Sequence, residues 1–395
     1  MDLEFLKPAA KKITPYAINL RREIHSHPEL SGQEVGSVAL ICRELNRLGI
    51  AHEILPEMNA VVGVIDTDRE GPVVALRADI DALPIQEQTG LPFESQNPGV
   101  MHACGHDVHT AVLLGAAAVL QSQRTALRGK IKLFFQPAEE GNGGAQAMIN
   151  AGCMDNPHVD AVFGLHCSPR YPAGKVSTCK GHINASSDEC RIIVRGKTAH
   201  GASPEEGVDA IYIACQLVNA LHGLSSRRVR ATDAISLNVG TFVAGRAKNI
   251  ICDRVDLGVM FRTIRQDTRA RLKKEIKVLA EGMCQSMGGS AEVTFIPGYD
   301  SQENDALLTE RFIELCGELL PEGSFVPREY PDLGTEDFCY FGQAAPSLFY
   351  DLGTGALAGH PVRPLHSCEF TVDEASLYYG ILLQSALAAD YLARH

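Results

Sequence analysis

The chain has 395 residues, of which 45% are hydrophobic and 21% are charged, and its formal net charge is −12. This length exceeds the roughly 250–300 residues at which one hydrophobic core stops growing, so two domains are expected in a protein of ordinary globular composition. The acidic balance leaves no basic stripe to neutralise phosphates, which argues against a nucleic-acid partner.

The first part of the chain predicts alternating helices and strands. Residues Met1–Lys7 have early acids and no apolar core, so no signal peptide is expected. The longest apolar run, Ala111–Leu120, is too short to span a bilayer, and a soluble cytoplasmic protein is predicted. Apolar spacing and turn signals predict helices over 8–26, 35–48 and 107–122, a Gly-rich helix start over 141–150, and strands over 60–65, 72–78, 130–135 and 159–166.

Polar side chains follow three of these predicted strands. Asp79 and Asp81 come after the strand over 72–78, Glu139 and Glu140 after the strand over 130–135, and His166 closes the strand over 159–166. Strands that alternate with helices favour an α/β fold with a mostly parallel central sheet flanked by helices. Loops at the carboxyl ends of such strands meet at one edge, so these side chains are expected to lie together.

The pattern changes after about residue 185. Strands are predicted over 189–194, 233–243, 253–262 and 291–296, with helices over 207–224 and 266–287. This β-α-β-β-α-β order is typical of a ferredoxin-like α+β domain. We therefore predict a catalytic domain over 1–185 and 297–395, with a strand over 347–350, and an inserted domain over 186–296.

The segment Met101-His102-Ala103-Cys104-Gly105-His106-Asp107 suggests metal chemistry. Cys104 and His106 of this segment, with Glu140, His166 and the later His366, provide one thiol, three imidazoles and a carboxylate. Such a borderline-soft set suits a transition divalent ion better than calcium or magnesium. Glu139 is then left over as an acid or base beside the ion.

Six motifs carry a family resemblance that covers nearly the whole chain. They begin at Arg22, Arg77, Met101, Gln136, Gly196 and Gly334, and their sequences are REIHSHPEL, RADIDALP, MHACGHD, QPAEEG, GKTAHGA and GTEDF. In this order they resemble the aminoacylase and carboxypeptidase-G-like metallo-amidohydrolases. The branch is that of hippurate hydrolase, the plant auxin-conjugate hydrolases and bacterial N-acetyldiaminopimelate deacetylase.

The resemblance implies a zinc-peptidase-like catalytic domain that holds two divalent ions, with zinc, manganese, cobalt and nickel left open. Cys104 is implied as the bridging ligand. Glu140 and His366 are implied to complete one site, and His106 and His166 the other. Relatives outside this branch carry a His-x-Asp motif where this chain has Asp79-Ile80-Asp81, so Asp81 is expected to orient a ligating imidazole from behind.

The resemblance also assigns catalytic and substrate-binding roles. Glu139 is expected to take a proton from the attacking water and deliver it to the leaving amine. His200, in the inserted dimerisation and lid domain, is implied to reach across a homodimer and polarise the substrate carbonyl. Asn249 and Arg262 are implied to hold the substrate's α-carboxylate, although Ile250-Ile251-Cys252 departs from the usual Val-Ile-Pro beside Asn249.

Other histidines and cysteines are expected to be structural. His25 and His27 are expected to cap or pack beneath the site. His102 is expected to point away from the cluster, and His109 is expected to lie on a helix surface; neither is given a role. Eleven of the twelve cysteines, among them Cys215 and Cys316, are interpreted as buried apolar residues in a reducing cytosol, and Cys104 is the exception.

The sequence thus predicts a dinuclear metal-dependent amidohydrolase that cleaves the amide bond of a small N-acyl amino acid. Three alternatives stay open. A dipeptidase or carboxypeptidase would use the same site on small peptides. A binding module would have lost a ligand or the base, and all are present. A cysteine-based redox protein is the weakest, since the chain contains no C-x-x-C motif.

Overall fold

The computed structural model describes residues 3–395, without the side chain of Pro56. The helices within this range are α1 (Leu6–Ser26), α2 (Val35–Leu48), α3 (His106–Ser122), α4 (Ala145–Asn150), α5 (Ala210–Arg227), α6 (Gln266–Ser286), α7 (Ala306–Leu319), α8 (Cys339–Ala344) and α9 (Ser376–Arg394). The strands are β1 (Ala51–Leu55), β2 (Ala60–Asp66), β3 (Val73–Asp79), β4 (Lys130–Gln136), β5 (Ala161–Ser168), β6 (Val176–Thr178), β7 (Gly181–His182), β8 (Ser186–Arg195), β9 (Ile235–Ala244), β10 (Arg254–Thr263), β11 (Ser290–Pro297), β12 (Glu303–Asn304), β13 (Phe325–Pro327) and β14 (Ser347–Gly353).

The described chain forms two compact units. The first comprises the residues up to Gly181 together with Glu303–Glu329 and Asp337–His395, and the second comprises His182–Gln302 and Tyr330–Glu336. The predicted domains change at 185/186 and 296/297, whereas the compact units change at 181/182 and 302/303. Residues 330–336 belong to the second unit because Asp332 N–H donates to Ile183 O (2.9 Å) and Ala185 N–H donates to Gly334 O (3.0 Å).

The first unit is built on an eight-stranded sheet in the order β1-β2-β4-β3-β5-β14-β6-β13. Its central strands β4, β3, β5 and β14 are parallel, with antiparallel neighbours on both sides. Asp79 at the end of β3 lies opposite Gln136 at the end of β4. The predicted α/β fold with a mostly parallel sheet is confirmed, and the carboxyl ends of β3, β4 and β5 share one edge.

Helices cover both faces of this sheet. One core contains apolar residues of α1, α2, α3, α7 and α9, and a second contains residues of α4 and α8 with the opposite face of the strands. Helix α3 packs between α1 and α9 and is buried on every side from His106 to Leu120. Since this helix has no solvent-exposed face, the histidines near its start are buried as well.

The second unit has the element order β8-α5-β9-β10-α6-β11, with its antiparallel strands arranged β11-β8-β10-β9. The predicted ferredoxin-like order is confirmed. Residues on one face of the sheet alternate along β8 and β10 and pack against α5 and α6 as a separate core. Asp209 caps α5 by accepting hydrogen bonds from the N–H groups of Ile211 (2.9 Å) and Tyr212 (3.2 Å).

Several local expectations differ from the structure. The Gly-rich helix predicted over 141–150 begins at Ala145, because the glycines before it form a tight turn; a Cβ on Gly144 would lie 2.0 Å from Pro137 O. The strand predicted over 159–166 runs as Ala161–Ser168. Cys215 is exposed on α5, which buries only one side, and Cys42, Cys179 and Cys368 are half-buried, so the prediction of burial was wrong for these four cysteines. Across residues 3–395 no helix is both long and apolar enough to cross a membrane.

Candidate metal centre

Cys104 and His106 lie at the turn into α3. Between them, Gly105 has a left-handed backbone (φ 86°), and a Cβ there would lie 2.9 Å from Cys167 Sγ, so only glycine fits. The turn directs both side chains to the sheet edge at which β3, β4 and β5 end. Cys104 is 6% exposed and His106 is fully buried.

The other predicted ligands reach the same edge from distant segments. His166 lies in β5, and Glu139 and Glu140 lie in the loop 137–144 between β4 and α4, here called the carboxylate loop. His366 comes from the long segment before α9 and has a left-handed backbone (φ 65°), with its N–H donated to Ala103 O (2.8 Å). That hydrogen bond holds His366 beside the residue that precedes Cys104.

The ligand atoms form two groups that share Cys104. Cys104, His106 and His166 offer atoms that all lie within 4.8 Å of one another, and so do Cys104, Glu140 and His366. Cys104 Sγ lies 3.5 Å from His166 Nε2 and 3.3 Å from His366 Nε2. Glu139 is buried and groups with His106 and Glu140 at the same spacing.

The chemistry of this cluster fits divalent ions. His106 Nε2 is buried and has no hydrogen-bond partner among residues 3–395, as expected for an atom that binds a cation. Glu140 Oε1 lies 3.2 Å from His366 Nε2, the other potential ligand of its group. Burial and the Glu140 and Glu139 carboxylates raise the pKa of the Cys104 thiol. Burial opposes a charge on His106, but Asp79, Asp81 and Glu140 raise its pKa to about 10. A bound cation relieves both effects by taking the place of these protons.

Asp81 contacts three parts of the cluster from behind. Its backbone oxygen accepts the His106 Nδ1 proton (2.9 Å), which leaves Nε2 as the ligand atom. Its carboxylate accepts the N–H groups of Glu139 (3.2 Å) and Glu140 (3.0 Å) and the Ser31 hydroxyl (2.6 Å). Asp81 therefore holds an imidazole ring and the backbone of the carboxylate loop at once.

His109 is the residue that sequence reasoning missed. It was predicted on a helix surface, but it is 2% exposed, because α3 is buried on every side. Its Nδ1 lies 2.5 Å from Asp79 Oδ1, and its Nε2 accepts the N–H of Cys167 (2.8 Å), the residue after His166. Burial lowers the pKa of His109 to about 4, so the ring is neutral and both nitrogens are used. Its position three residues after His106, on the same side of α3, could have indicated from the sequence that it lies near the cluster.

Asp79 is itself held by a buried arginine. Arg77 donates to the Asp79 carboxylate (2.9 Å), and also to Asp337 (3.0 Å) and Gln136 (2.8 Å). Burial opposes ionisation of Asp79, but His106, His109 and Arg77 hold its pKa well below the usual range. Position 79 therefore carries an ionised carboxylate that fixes His109.

The remaining histidines differ from one another. His25 is fully buried between Asp107 (2.8 Å) and Glu87 (3.1 Å), beneath the start of α3, as a packing role requires. His27 is exposed, and its Nδ1 lies 3.0 Å from Glu23 O. His102 is buried, and burial lowers its pKa to about 4.

The predicted substrate-binding residues all lie in the second unit. His200 is exposed and pairs with Ile250 in an isolated β-bridge, and its Nδ1 accepts the N–H of Ala202 (3.1 Å). Asn249 is exposed beside it, with its backbone oxygen accepting the Gly201 N–H (2.9 Å). Arg262 on β10 is half-buried and donates to Leu333 O (2.5 Å). Their assigned roles stay predictions.

Comparison with known proteins agrees with this chemistry. The sequence model of peptidase family M20/M25/M40 matches residues 75–390. Thermostable carboxypeptidase 1 of Saccharolobus solfataricus is 39% identical over 396 residues, which cover 99% of each chain. N-acetylcysteine deacetylase of Bacillus subtilis is 35% identical over 361 residues, covering 91% of this chain and 92% of the deacetylase.

A solved structure shows the same architecture. The YXEP protein of Bacillus subtilis, described as a dinuclear metal-binding peptidase of the M20 family, superposes with a TM-score of 0.81 at 33% sequence identity. The match covers 96% of this chain and 99% of the other.

Proposed function

The chain belongs to peptidase family M20/M25/M40, and from this premise we propose that it cleaves the amide bond of small N-acyl amino acids with two divalent ions bound. That it is a metal-dependent amidohydrolase follows from the family, its dinuclear structural neighbour and its amidohydrolase relatives. The substrate class of N-acyl amino acids, the catalytic base and the ligand assignment are the proposed parts.

One observation carries the proposal. Two groups of potential ligands share the Cys104 thiol, and Glu139 stands beside them although neither group needs its carboxylate. Two neighbouring cations need an anionic bridge, which a thiolate provides. We assign Cys104, His106 and His166 to one ion, and Cys104, Glu140 and His366 to the other. The donor set leaves zinc, manganese, cobalt and nickel as candidates.

The residues divide the chemistry between them. Bound divalent ions supply Lewis acidity toward the amide carbonyl and lower the pKa of a water molecule. Glu139 accepts the proton that this water loses as its oxygen bonds to the amide carbon. When the C–N bond breaks, Glu139 returns that proton to the leaving nitrogen, so the products are a carboxylic acid and a free amino acid.

The second unit is proposed to supply substrate contacts. The Arg262 guanidinium and the Asn249 amide are suited to a carboxylate, because a planar fork of N–H donors matches its two oxygens. His200, which is exposed, is proposed to polarise the carbonyl in the active site of a second copy. These assignments rest on the family resemblance and on residue chemistry.

A homodimer through the second unit is part of the proposal. Strand β9 is one of the two edge strands of its sheet, and it carries Phe242 (41% exposed) and Val243 (67% exposed). An exposed apolar edge strand offers unpaired N–H and C=O groups to a partner strand. Light scattering of the purified chain tests this; a monomer at micromolar concentration would remove the dimer and the role of His200 in a second copy.

The cellular location is proposed to be the cytoplasm. All twelve cysteines lie within the described residues, and all are free thiols. Free thiols are usual in a reducing compartment, and the site proposed here needs one of them.

Hydrolysis of small peptides is the second candidate, because the relative with 39% identity is a carboxypeptidase. The experiment that separates the two candidates measures free amino acid released from N-acetyl, N-benzoyl and p-aminobenzoyl amino acids, and from Ala-Ala, after loading with manganese or zinc. Faster release from one acyl class than from Ala-Ala supports the amidohydrolase proposal. Release from the dipeptide alone would overturn it in favour of the peptidase.

A further inference from the structure

A buried carboxylate without a basic partner lies against the carboxylate loop. Glu34 is 0% exposed. Among the described residues its hydrogen bonds come from neutral donors, namely the N–H groups of Gly32 (2.8 Å) and Ala138 (3.0 Å) and the Asn59 side-chain amide (3.5 Å). Burial, with Asp81 nearby, raises the pKa of Glu34. Burying a carboxylate among neutral groups costs free energy, so the contact with Ala138 needs an explanation.

Ala138 occupies a strained position next to the proposed base. Its backbone is left-handed (φ 58°), which is uncommon for a residue with a side chain. Such a conformation persists only where the surroundings hold it. The Ala138 carbonyl accepts the N–H of Gly143 (3.0 Å), and its own N–H is held by Glu34, 104 residues away in the sequence.

Glu34 and Asp81 together bind three successive amides. Glu34 Oε1 accepts the N–H of Ala138, Asp81 Oδ1 that of Glu139, and Asp81 Oδ2 that of Glu140. Adjacent side chains usually diverge, but here the carboxylates of Glu139 and Glu140 both group with His106. Holding each of the three peptide groups by its N–H is a direct way to impose this arrangement.

We propose that Glu34 is a positioning residue for Glu139, acting through the Ala138 amide to hold the carboxylate loop in the conformation that brings the base to the metal cluster. The inference rests on the proposed role of Glu139. Asp81 fixes the ligand Glu140 and the His106 ring, whereas Glu34 fixes the peptide group on the other side of the base. Loss of Glu34 should therefore affect proton transfer more than metal binding.

Three variants test the inference. Glu34→Ala should lower kcat about 100-fold, the size of effect that a displacement of about 1 Å can have, with KM and the two bound ions nearly unchanged. Glu34→Gln keeps an oxygen that can accept the Ala138 N–H and should restore most of the lost kcat. Glu44→Ala is the matched control, since Glu44 is also buried (5% exposed) but lies farther along α2. It binds Arg43 and Arg47 of the same helix and Tyr16 of α1. Glu44→Ala should lower the melting temperature and leave kcat unchanged.

A double variant separates positioning from a general loss of structure. If Glu34 acts through Glu139, then adding Glu34→Ala to Glu139→Gln should cost less than about threefold in kcat beyond Glu139→Gln alone. Equal losses in both backgrounds, or Glu34→Ala with wild-type kcat, would overturn the inference. Loss of bound metal in Glu34→Ala, measured by elemental analysis, would also overturn it, because the role would then lie with Glu140.

A crystal structure of Glu34→Ala makes the test independent of turnover. We expect the backbone of Ala138–Glu140 to move and the Glu139 carboxylate to leave His106. An unchanged loop refutes the inference whatever the substrate. Failure of the proposed function would be recognised by a different result. Wild-type protein would then release no amino acid from N-acyl substrates, while the loop could still depend on Glu34.

Discussion

The two units bury charged side chains in different ways. In the second unit, the buried carboxylate of Asp188 is saturated by Arg269 (2.6 Å) and Lys273 (2.6 Å), and the contact joins β8 to α6. In the first unit, His106 is equally buried, but its Nε2 has no hydrogen-bond partner among residues 3–395 and only faces the Asp79 carboxylate at 3.6 Å. A buried charge whose hydrogen-bonding positions are all filled by protein groups has no capacity left for another partner. A buried nitrogen without a hydrogen-bond partner, beside other potential metal ligands, can bind a metal ion.

Exposure also differs between the site residues. In the first unit Cys104, His106 and Glu139 are buried, Glu140 and His166 are half-buried, and His366 is exposed. Hydrogen bonds to Asp81 hold His106 and the backbone of Glu139. His200 and Asn249 in the second unit are exposed. Cys104, His106 and Glu139 are therefore buried within one unit, whereas two of the three residues assigned to substrate are exposed and Arg262 is half-buried. Variants in the two units should accordingly affect different quantities.

The largest expected effect belongs to the base in the first unit. Glu139→Gln should lower kcat about 1,000-fold, within the range for general acid–base catalysis, and keep two ions per chain. Glu140→Gln is the matched comparison, because the neighbouring carboxylate is a proposed ligand and its loss should remove metal. Steady-state kinetics and elemental analysis measure both. Near-normal turnover in metal-filled Glu139→Gln would remove Glu139 from the mechanism.

The next effect concerns the contact behind His166. His109→Ala removes the acceptor for the Cys167 N–H and should weaken metal binding about 10- to 100-fold, the usual cost of losing a group that orients a ligand. Competition with a chelator measures the affinity. His222→Ala, on the exposed side of α5, is the control and should bind metal normally. Unchanged affinity in His109→Ala would mean that His109 only fills space.

A smaller and different effect is expected in the second unit. Arg262→Ala should raise KM about 10- to 100-fold, since a hydrogen bond to a charged group contributes about 1.5–3 kcal/mol, and should leave bound metal unchanged. Arg254→Ala changes an exposed arginine on the same strand and serves as the control. Equal KM values for the two variants would contradict the assignment of Arg262 to the substrate carboxylate.

The smallest effect is a difference in acid stability. In the metal-free protein, Arg21 and His25 hold the pKa of Asp107 below its usual range despite burial, and Asp79 is lowered similarly. Stabilisation by such groups is present above the unfolded pKa of about 4 and is lost as pH falls through the folded value. The lowered carboxylates Asp267 and Glu292 of the second unit are exposed, so solvent screens them.

Hydrogen exchange at pH 5 and pH 3, corrected for the intrinsic rate, measures this difference. Peptides of the first unit should lose more protection on acidification than peptides of the second. The opposite order would show that the buried charges of the first unit do not control its stability.

Much of the fold followed from local patterns. The helix predicted over 35–48 coincides with α2, and the helix over 107–122 begins one residue earlier, at His106. Hydrophobic periodicity reports burial along one element, which is why these elements were predictable. Turn geometry was not, because the start of α4 depends on contacts of the preceding glycines with Pro137 and Ser31.

Motifs along the chain indicated the donor atoms and their order: one thiol, the imidazoles, and an adjacent pair of carboxylates that follows a strand. Those residue types predict a site for divalent metal ions, and the family resemblance added the hydrolytic reaction. The tertiary structure decided which groups support them, including His109 behind His166 and Glu34 against Ala138. Such pairs join segments far apart in the chain, and their hydrogen bonds depend on how the helices and the sheet pack, which periodicity and motif spacing do not encode.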